Sequence, residues 1–365
     1  MSDRLTIAML TSARTWRGSG VSFANVATGL TKLGHRAHAI AGDQEVVDCF
    51  LALGIPATRI RTDDTGIRQA SLLARLLGKI GADGLLVDRP RDLRLGALAS
   101  LIRPVTVVNR YNLSRAAPPR DLLSQLAYLR VALTIFVSQT LADKVLSLAG
   151  FIGRKPFCVI HEAVDSDLYR PDAAAGAAFR IVHGLGDSAC VLAVGSLTRE
   201  KRYEYLFDVW SSLGPSAPPL VICGSGAQLA ELQGGVARRR LDVRFVGHLA
   251  PERLRGAYNA ATCFVHAGAV ETFGLSVLEA MACGRPVVVA RGGALPEVVG
   301  DSGLVSSAES AEEFAISLDG LLHDPGRRIA LGAAARIRAV EGFSLAEMQQ
   351  RYAAAFEAAC KVLPG

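Results

Sequence analysis

Two carboxylates, Glu271 and Glu279, stand eight residues apart in the stretch GAVETFGLSVLEAMACGRPVVVARGGALPEVVG, which runs from Gly268 to Gly300. A polar loop holds the first and passes into Phe273-Gly274. The pattern then predicts a short helix with Leu275, Leu278 and Met281 on one face, ended by Gly284 and Pro286. The run Pro286 to Ala290 reads as a buried strand. A helix start of this kind offers free backbone amides and the positive end of the dipole, which suits a phosphate. Glu271 before it and Glu279 a turn inside it can each accept hydrogen bonds from sugar hydroxyls, so the stretch fits a nucleotide sugar. Either glutamate alone would read as a solvated side chain; it is their shared setting that carries the expectation.

The elements that must position these groups alternate along the chain. Leu5 to Leu10 reads as a strand, TSARTWRGSG as a loop, Val21 to Leu33 as an amphipathic helix closed by Gly34, and His35 to Ala41 as a second strand. Gly18-Ser19-Gly20 at that first helix start could admit a phosphate to the backbone, which makes Gly20 a candidate donor-binding position. As a dinucleotide fingerprint it fails, because Phe23 occupies the third glycine position. Further strands are expected at Gly84 to Val87, Val105 to Asn109, Leu133 to Val137 and Phe157 to Ile160. The rhythm predicts an α/β fold with a parallel sheet covered on both faces and active groups on loops at the carboxyl ends of strands. Two such loops are rich in arginine, DRPRDLR with Arg89, Arg91 and Arg94, and NRYNLSR with Arg110 and Arg115. Arginine forks suit phosphate and carboxylate, so these loops are a candidate acceptor site.

The rhythm restarts after residue 172. CVLAVGSL, LVICGSG, VRFVGHL and ATCFVHAG are strand-to-loop transitions, and Tyr203 to Leu213 is a helix after the loop TREKR. The segment Pro171-Asp172-Ala-Ala-Ala-Gly is expected to be a linker, and Ser344 to Glu347 to open a last helix reaching about Cys360, with Tyr352 and Phe356 on one face. Three parts follow: 1–172, 173–343 and 344–365.

At 365 residues the chain is long for one core and comfortable for two domains. Half of its residues are hydrophobic and a fifth are charged, as in a globular enzyme. No apolar run approaches the roughly 18 residues of a spanning helix. The start MSDRLTIAML has no cleavage site, so a secretory signal is not expected. Seven scattered cysteines in mostly apolar surroundings read as reduced thiols of a cytoplasmic protein. Residues 1–172 hold 22 Lys+Arg against 15 Asp+Glu, so the net charge of +6 resides in the first half. Basic residues interleaved with stacking aromatics are missing, which excludes a nucleic-acid partner. An anionic, lipid-linked or glycan acceptor, or peripheral contact with an anionic membrane face, fits better, beside the plainer reading of a merely soluble basic surface.

The residues Glu271 and Glu279 within ETFGLSVLEAMACGRPVV resemble the paired-glutamate region of the family 4 glycosyltransferases, also called glycosyl transferases group 1. GSLTREKRYEYLF is similar to the segment in which the family's lysine binds the donor diphosphate, which places Lys201 in that role. Ser196 stands at the family's arginine position, so Arg199 or Arg202 is the candidate substitute. Asn109 stands where many relatives carry a histidine, and an amide there can orient a sugar but not take a proton. Asp165 and Asp167 form a D-x-D, but the following Leu-Tyr-Arg-Pro resembles the family's exit from the first domain, with Tyr169 at its aromatic position, and no metal is expected.

The resemblance implies a GT-B fold: two Rossmann-like domains facing across a cleft, with the last helix crossing back to the first domain. It implies a retaining, metal-independent transfer from a nucleotide-diphosphate sugar, with no cofactor beyond that donor, in envelope polysaccharide or glycolipid synthesis. Lys201 and Glu271 are then the catalytic pair. Phe273, Gly274, Leu275 and Ser276 present amides to the phosphates, and Glu279 takes the ribose. Arg89, Asn109 and Arg110 serve the acceptor. Two other readings stay open: a sugar-nucleotide 2-epimerase, which needs a proton-abstracting residue, and a non-catalytic subunit that binds nucleotide.

Overall fold

The computed structural model describes residues 4–16, 18–112 and 121–361. The chain divides into two compact units, one made of Met1–Glu162 with Leu345–Gly365, the other of Ala163–Ser344.

In the first unit, strands β1 (Thr6–Thr11), β2 (Arg36–Ala41), β3 (Ala57–Arg59), β4 (Gly84–Val87), β5 (Thr106–Tyr111), β6 (Val131–Phe136) and β7 (Phe157–Val159) form one sheet in the order β3-β2-β1-β4-β5-β6-β7. Every pairing is parallel. β1, β4 and β5 are buried along their whole length, which is why they read as apolar runs rather than alternating ones. β3 is a three-residue edge whose Ala-Thr-Arg carries no such run. The first helix spans Gly18–Lys32, starting earlier than its apolar periodicity suggests.

The helix Leu345–Lys361 completes this unit. Gln349 crosses the first helix at Gly29, where an added Cβ would lie 2.2 Å from Gln349 Cγ, and its amide donates to Asn25 O at 2.9 Å. Phe356, 1% exposed, lies against Gly84 of β4, and Glu357 reaches His35 at 3.3 Å. Small residues at both positions let backbone and helix approach.

The second unit holds β8 (Val191–Val194), β9 (Leu220–Cys223), β10 (Val243–Gly247), β11 (Cys263–His266), β12 (Val287–Ala290) and β13 (Leu304–Ser306), in the order β10-β9-β8-β11-β12-β13, again all parallel. The chain winds outward from β8 in one direction and from β11 in the other. Their shared edge is therefore the point where a doubly wound sheet opens a crevice at its carboxyl ends.

The segment expected to be a linker is built into this unit instead. Val164 pairs with Ser344, and Tyr169, 7% exposed, packs edge-on against Tyr258 at 5.8 Å. Asp172 caps the helix Ala173–Val182 by accepting from Ala175 N at 2.9 Å. Burial of Tyr169 and this cap move the division from Asp172 to Glu162. Asp165 Oδ1 is likewise occupied, accepting the amides of Asp167 and Leu168 at 3.0 Å each, so the D-x-D forms a turn. Among the described residues no helix is long and apolar enough to cross a membrane.

Candidate functional site

Lys201 and Glu271 lie on the loops that follow β8 and β11, the two strands at the switch point. Lys201 closes a single 3-10 turn, Arg199–Lys201, and its ammonium donates to Glu271 Oε1. The loop below is fixed by glycines. Gly195 N donates to Cys223 O at 3.0 Å, and a Cβ on Gly224 would lie 1.9 Å from Gly195 O, so only glycine fits there. Tyr203, 4% exposed, returns its hydroxyl to Gly195 O at 3.0 Å and holds the loop from the helix side.

The Glu271 loop rests on a second loop in the same way. At Gly293, φ is +52° and a Cβ would stand 2.2 Å from Glu271 O; at Gly292 it would stand 2.6 Å from Ala269 Cα. Ala294 N donates to Glu271 O at 2.9 Å. The pair of glycines in ARGGALPE is thus what lets the carboxylate's backbone lie flat.

Glu271 has a third neighbour. His266 ends β11, is 3% exposed, and places Nε2 at 3.3 Å from Glu271 Oε1. Its Nδ1 accepts the Gly268 amide at 3.0 Å, so a neutral ring carries its proton on Nε2, toward the carboxylate. Burial lowers the His266 pKa against the opposing pull of Glu271, which keeps the ring neutral. Burial alone would raise the Glu271 pKa; the Lys201 charge and the His266 contact overcome it and hold the carboxyl well below the usual range. The result is a fixed anion beside a fixed cation.

The helix Leu275–Ala282 starts at Gly274, which has a φ of 104° that disfavours any side chain. Val277 N and Leu278 N both turn back to Gly274 O, while the amides of Leu275 and Ser276 head the helix with no acceptor inside it. Burial is not confined to one face. Val277, Leu278, Ala280, Met281 and Ala282 are all enclosed, whereas Leu275 is only partly so. Phe273 points into the core, 2% exposed and edge-on to Phe343 at 5.5 Å, so only its backbone can serve a ligand.

Glu279 is half-buried, and Oε2 accepts the Tyr258 hydroxyl at 2.6 Å. Burial pushes its pKa up to about 7, against the hydrogen bonds from Tyr258 and Tyr169. Unlike Glu271 it has no cation. Ser196 is partly exposed on the β8 loop, Arg199 is exposed, and Arg202, at a φ of 53°, stacks over the Tyr205 ring at 4.6 Å. Of the two arginines, Arg199 is therefore the one left open to solvent beside Lys201.

A cavity of about 620 Å³ lies elsewhere in this unit, between the ends of β12 and β13 and the helix Ala311–Leu322, with Arg291, Ser307, Glu309 and Glu313 on its walls. It does not include Lys201 or Glu271. The carboxyl ends of β8 and β11 are the better candidate, since they bring together charge, a helix start and a switch point.

In the first unit the expected acceptor residues separate. Arg110, on β5, is fully buried: its guanidinium meets Glu162, donates to Ser22 Oγ at 2.7 Å and lies over Phe23 at 5.5 Å. Asn109, 3% exposed, faces the Tyr128 hydroxyl at 3.5 Å. Arg89 keeps a side chain 40% exposed, 3.9 Å from Asp88. These groups surround a void of about 10 Å³, room for one water. Asp88 and Asp92 are raised by burial, and Asp92 takes the Ser12 amide at 3.0 Å. Arg115 lies outside the described residues. Gly20 is the third residue of the first helix, under the Trp16 ring, where a Cβ would come within 2.9 Å.

Sequence reasoning missed His266, Tyr258 and the Gly292-Gly293 pair. Only the glycine pair left a signal, since two glycines directly after a buried strand mark a close backbone approach.

Residues 178–338 match the model of the family Glycosyl transferases group 1, which covers most of the second unit. The chain is 29% identical over 235 residues to a sulfoquinovosyl transferase of Arabidopsis thaliana, spanning 63% of this chain and 45% of that one. It is 34% identical over 196 residues to a GDP-mannose-dependent alpha-(1-6)-phosphatidylinositol monomannoside mannosyltransferase of Mycolicibacterium smegmatis, spanning 49% and 50%. The chain thus spans about half the length of these relatives. Among solved structures, Anabaena HepE in complex with UDP and glucose superimposes with a TM-score of 0.87 at 20% identity, over 97% of this chain and 100% of that one. The two sheets and this likeness give the chain the GT-B fold. The likeness to the group 1 glycosyltransferases lies in its second unit.

Proposed function

We propose that the protein is a retaining glycosyltransferase that takes its donor, a nucleotide-diphosphate sugar, at the carboxyl ends of β8 and β11. The observation that carries the reading is the meeting of Lys201 and Glu271 at that switch point, beside the free amides of Leu275 and Ser276. A sugar diphosphate supplies what each group lacks: phosphate oxygens for the ammonium and amides, and hydroxyls for the carboxylates. Glu279 takes the ribose. Acceptor attack forms the new bond at the anomeric carbon as the bond to the phosphate oxygen breaks, and the departing diphosphate takes the acceptor's proton. No cofactor enters.

Lys201 lowers the barrier because the diphosphate gains charge as it leaves, so the cation binds the transition state better than the donor. The named relatives include a GDP-mannose-dependent mannosyltransferase acting on a phosphatidylinositol mannoside, which supports an anionic lipid-linked or glycan acceptor and an envelope role here. Arg89, whose side chain is 40% exposed, is the residue of the first unit offered to that acceptor.

Ser196 favours one second reading, a nucleotide-binding subunit without turnover. Incubation with a panel of UDP- and GDP-sugars, followed by mass spectrometry, separates the two. Transfer, or slow release of free sugar and nucleoside diphosphate, supports the enzyme. Binding with the sugar nucleotide intact supports the subunit, and an isomeric sugar nucleotide of unchanged mass, resolved by chromatography ahead of the spectrometer, indicates the epimerase.

A further inference from the structure

We infer that the helix Pro325–Gly342 of the second unit is a self-association surface, on which a second copy of this chain packs antiparallel. A surface helix ordinarily turns its apolar side chains inward and its charges outward. Here two arginines face inward and two isoleucines face out. Arg336 donates to Tyr169 O at 2.9 Å and Ala282 O at 2.6 Å, and Arg338 donates to Val298 O at 2.8 Å and Glu297 O at 2.7 Å. A Cβ on Gly332 would stand 2.5 Å from Gly284 O, so the backbone itself is seated on that side. These contacts fix which side looks outward. Ile329 is 75% exposed and Ile337 56%, with Ala330 and Ala333 exposed between them.

The pattern on the outward side complements itself. Arg327 and Glu341 are exposed near opposite ends of the helix, and among the described residues neither enters an ion pair. Ala334 is their midpoint. A two-fold axis beside Ala334 and perpendicular to the helix sets Arg327 of each copy against Glu341 of the other, giving two ion pairs in one contact. The same axis lays Ile337 over Ala330 and Ala333 of the other copy, large against small, and Ile329 beside Val340. Each Glu341 also reaches the first turn of the facing helix, where the dipole favours a carboxylate. A bilayer has no such register of charge, and this unit carries 17 Lys+Arg against 20 Asp+Glu, a balance that anionic headgroups repel. One helix pair buries less than the roughly 800 Å² per partner of a standard interface, so the expected dimer is a weak one, with a Kd on the order of 10 to 100 µM.

The test is sedimentation velocity of the full chain over a concentration series from about 1 to about 300 µM, a range that brackets this Kd. A reversible monomer–dimer equilibrium is expected. Ile337→Glu should weaken it about tenfold or more, and Arg327→Glu about tenfold. Arg327→Glu/Glu341→Arg should restore it, a recovery that damage to the fold could not produce. Ile67→Glu, at a side chain 64% exposed in the first unit, should leave it unchanged. With copper phenanthroline as oxidant, Ala333→Cys should give a disulfide-linked dimer above the background of the wild-type cysteines. A chain that stays monomeric throughout, a dimer indifferent to Ile337→Glu, a charge exchange that restores nothing, or no cross-link at residue 333 would each overturn the inference. So would a monomer that pellets with phosphatidylglycerol vesicles and loses that binding in Ile329→Ser/Ile337→Ser, which would put a bilayer in the second copy's place.

Discussion

Lys201 and Glu271 neutralise each other in the free protein, and their pairing sets what each substitution should do. Lys201→Ala removes the cation that faces the departing diphosphate, and kcat in a transfer assay is expected to fall about 10² to 10³, with a smaller change in donor KM. Unchanged turnover would take Lys201 out of the mechanism. Glu279 makes a second expectation at this scale. Its pKa of about 7 leaves it protonated in mild acid and ionised in mild base. A carboxylate accepts ribose hydroxyls better than a carboxylic acid, so donor Kd should weaken up to about tenfold per pH unit below 7. Glu279→Gln should bind weakly at every pH and flatten that profile. Glu271 and Glu279 stand out in the sequence because their spacing sits inside a distinctive run, and Lys201 because GSLTREKRYEYLF is similar to a family segment. His266 was not, because a lone histidine at a strand end says nothing of the tautomer that Gly268 imposes. Nor could the burial of Arg110 be read, since its partner Glu162 lies far along the chain.

The elements that carry these residues are held by close backbone contacts as much as by packing. Gly293→Ala forces a side chain into a left-handed φ and toward Glu271 O. It should cost about 1–2 kcal/mol from the conformation alone, lower the melting temperature and weaken donor binding. Gly320→Ala is the contrast. Nothing lies within 4 Å of its added Cβ inside the helix Ala311–Leu322, so it should stabilise by roughly 0.5–1 kcal/mol in a denaturant titration. At this scale most strands were legible as buried apolar runs. The short edge β3 was hidden by its lack of one, and the helix Ala173–Val182 was mistaken for a linker because alanines and a glycine show no apolar stripe. Its Gly176 serves a close crossing instead, where a Cβ would meet Asn259 O at 2.7 Å.

For the molecule as a whole, the last helix belongs to the unit that begins the chain. Ending the protein before Leu345 would uncover Gly29 and Gly84 and leave the sites of Tyr352 and Phe356 open to water. Two aromatic side chains of this size are worth roughly 3 kcal/mol each when buried, so the truncated chain should melt well below the intact one or aggregate. The doubled βαβ rhythm made two parallel sheets legible. The unequal charge of the units was legible too, since it is composition. Their division was placed too late because a buried tyrosine and an exit loop look alike in sequence.

On the proposed reading, the carboxyl ends of β8 and β11 bind the diphosphate of a nucleotide sugar through Lys201. Calorimetric titration of UDP, GDP and their sugars into the intact protein, Lys201→Ala and Glu279→Gln tests it most directly. Saturable binding of at least one nucleotide, weakened in both variants, is the predicted result. A nucleotide that binds all three proteins with equal affinity would contradict the account.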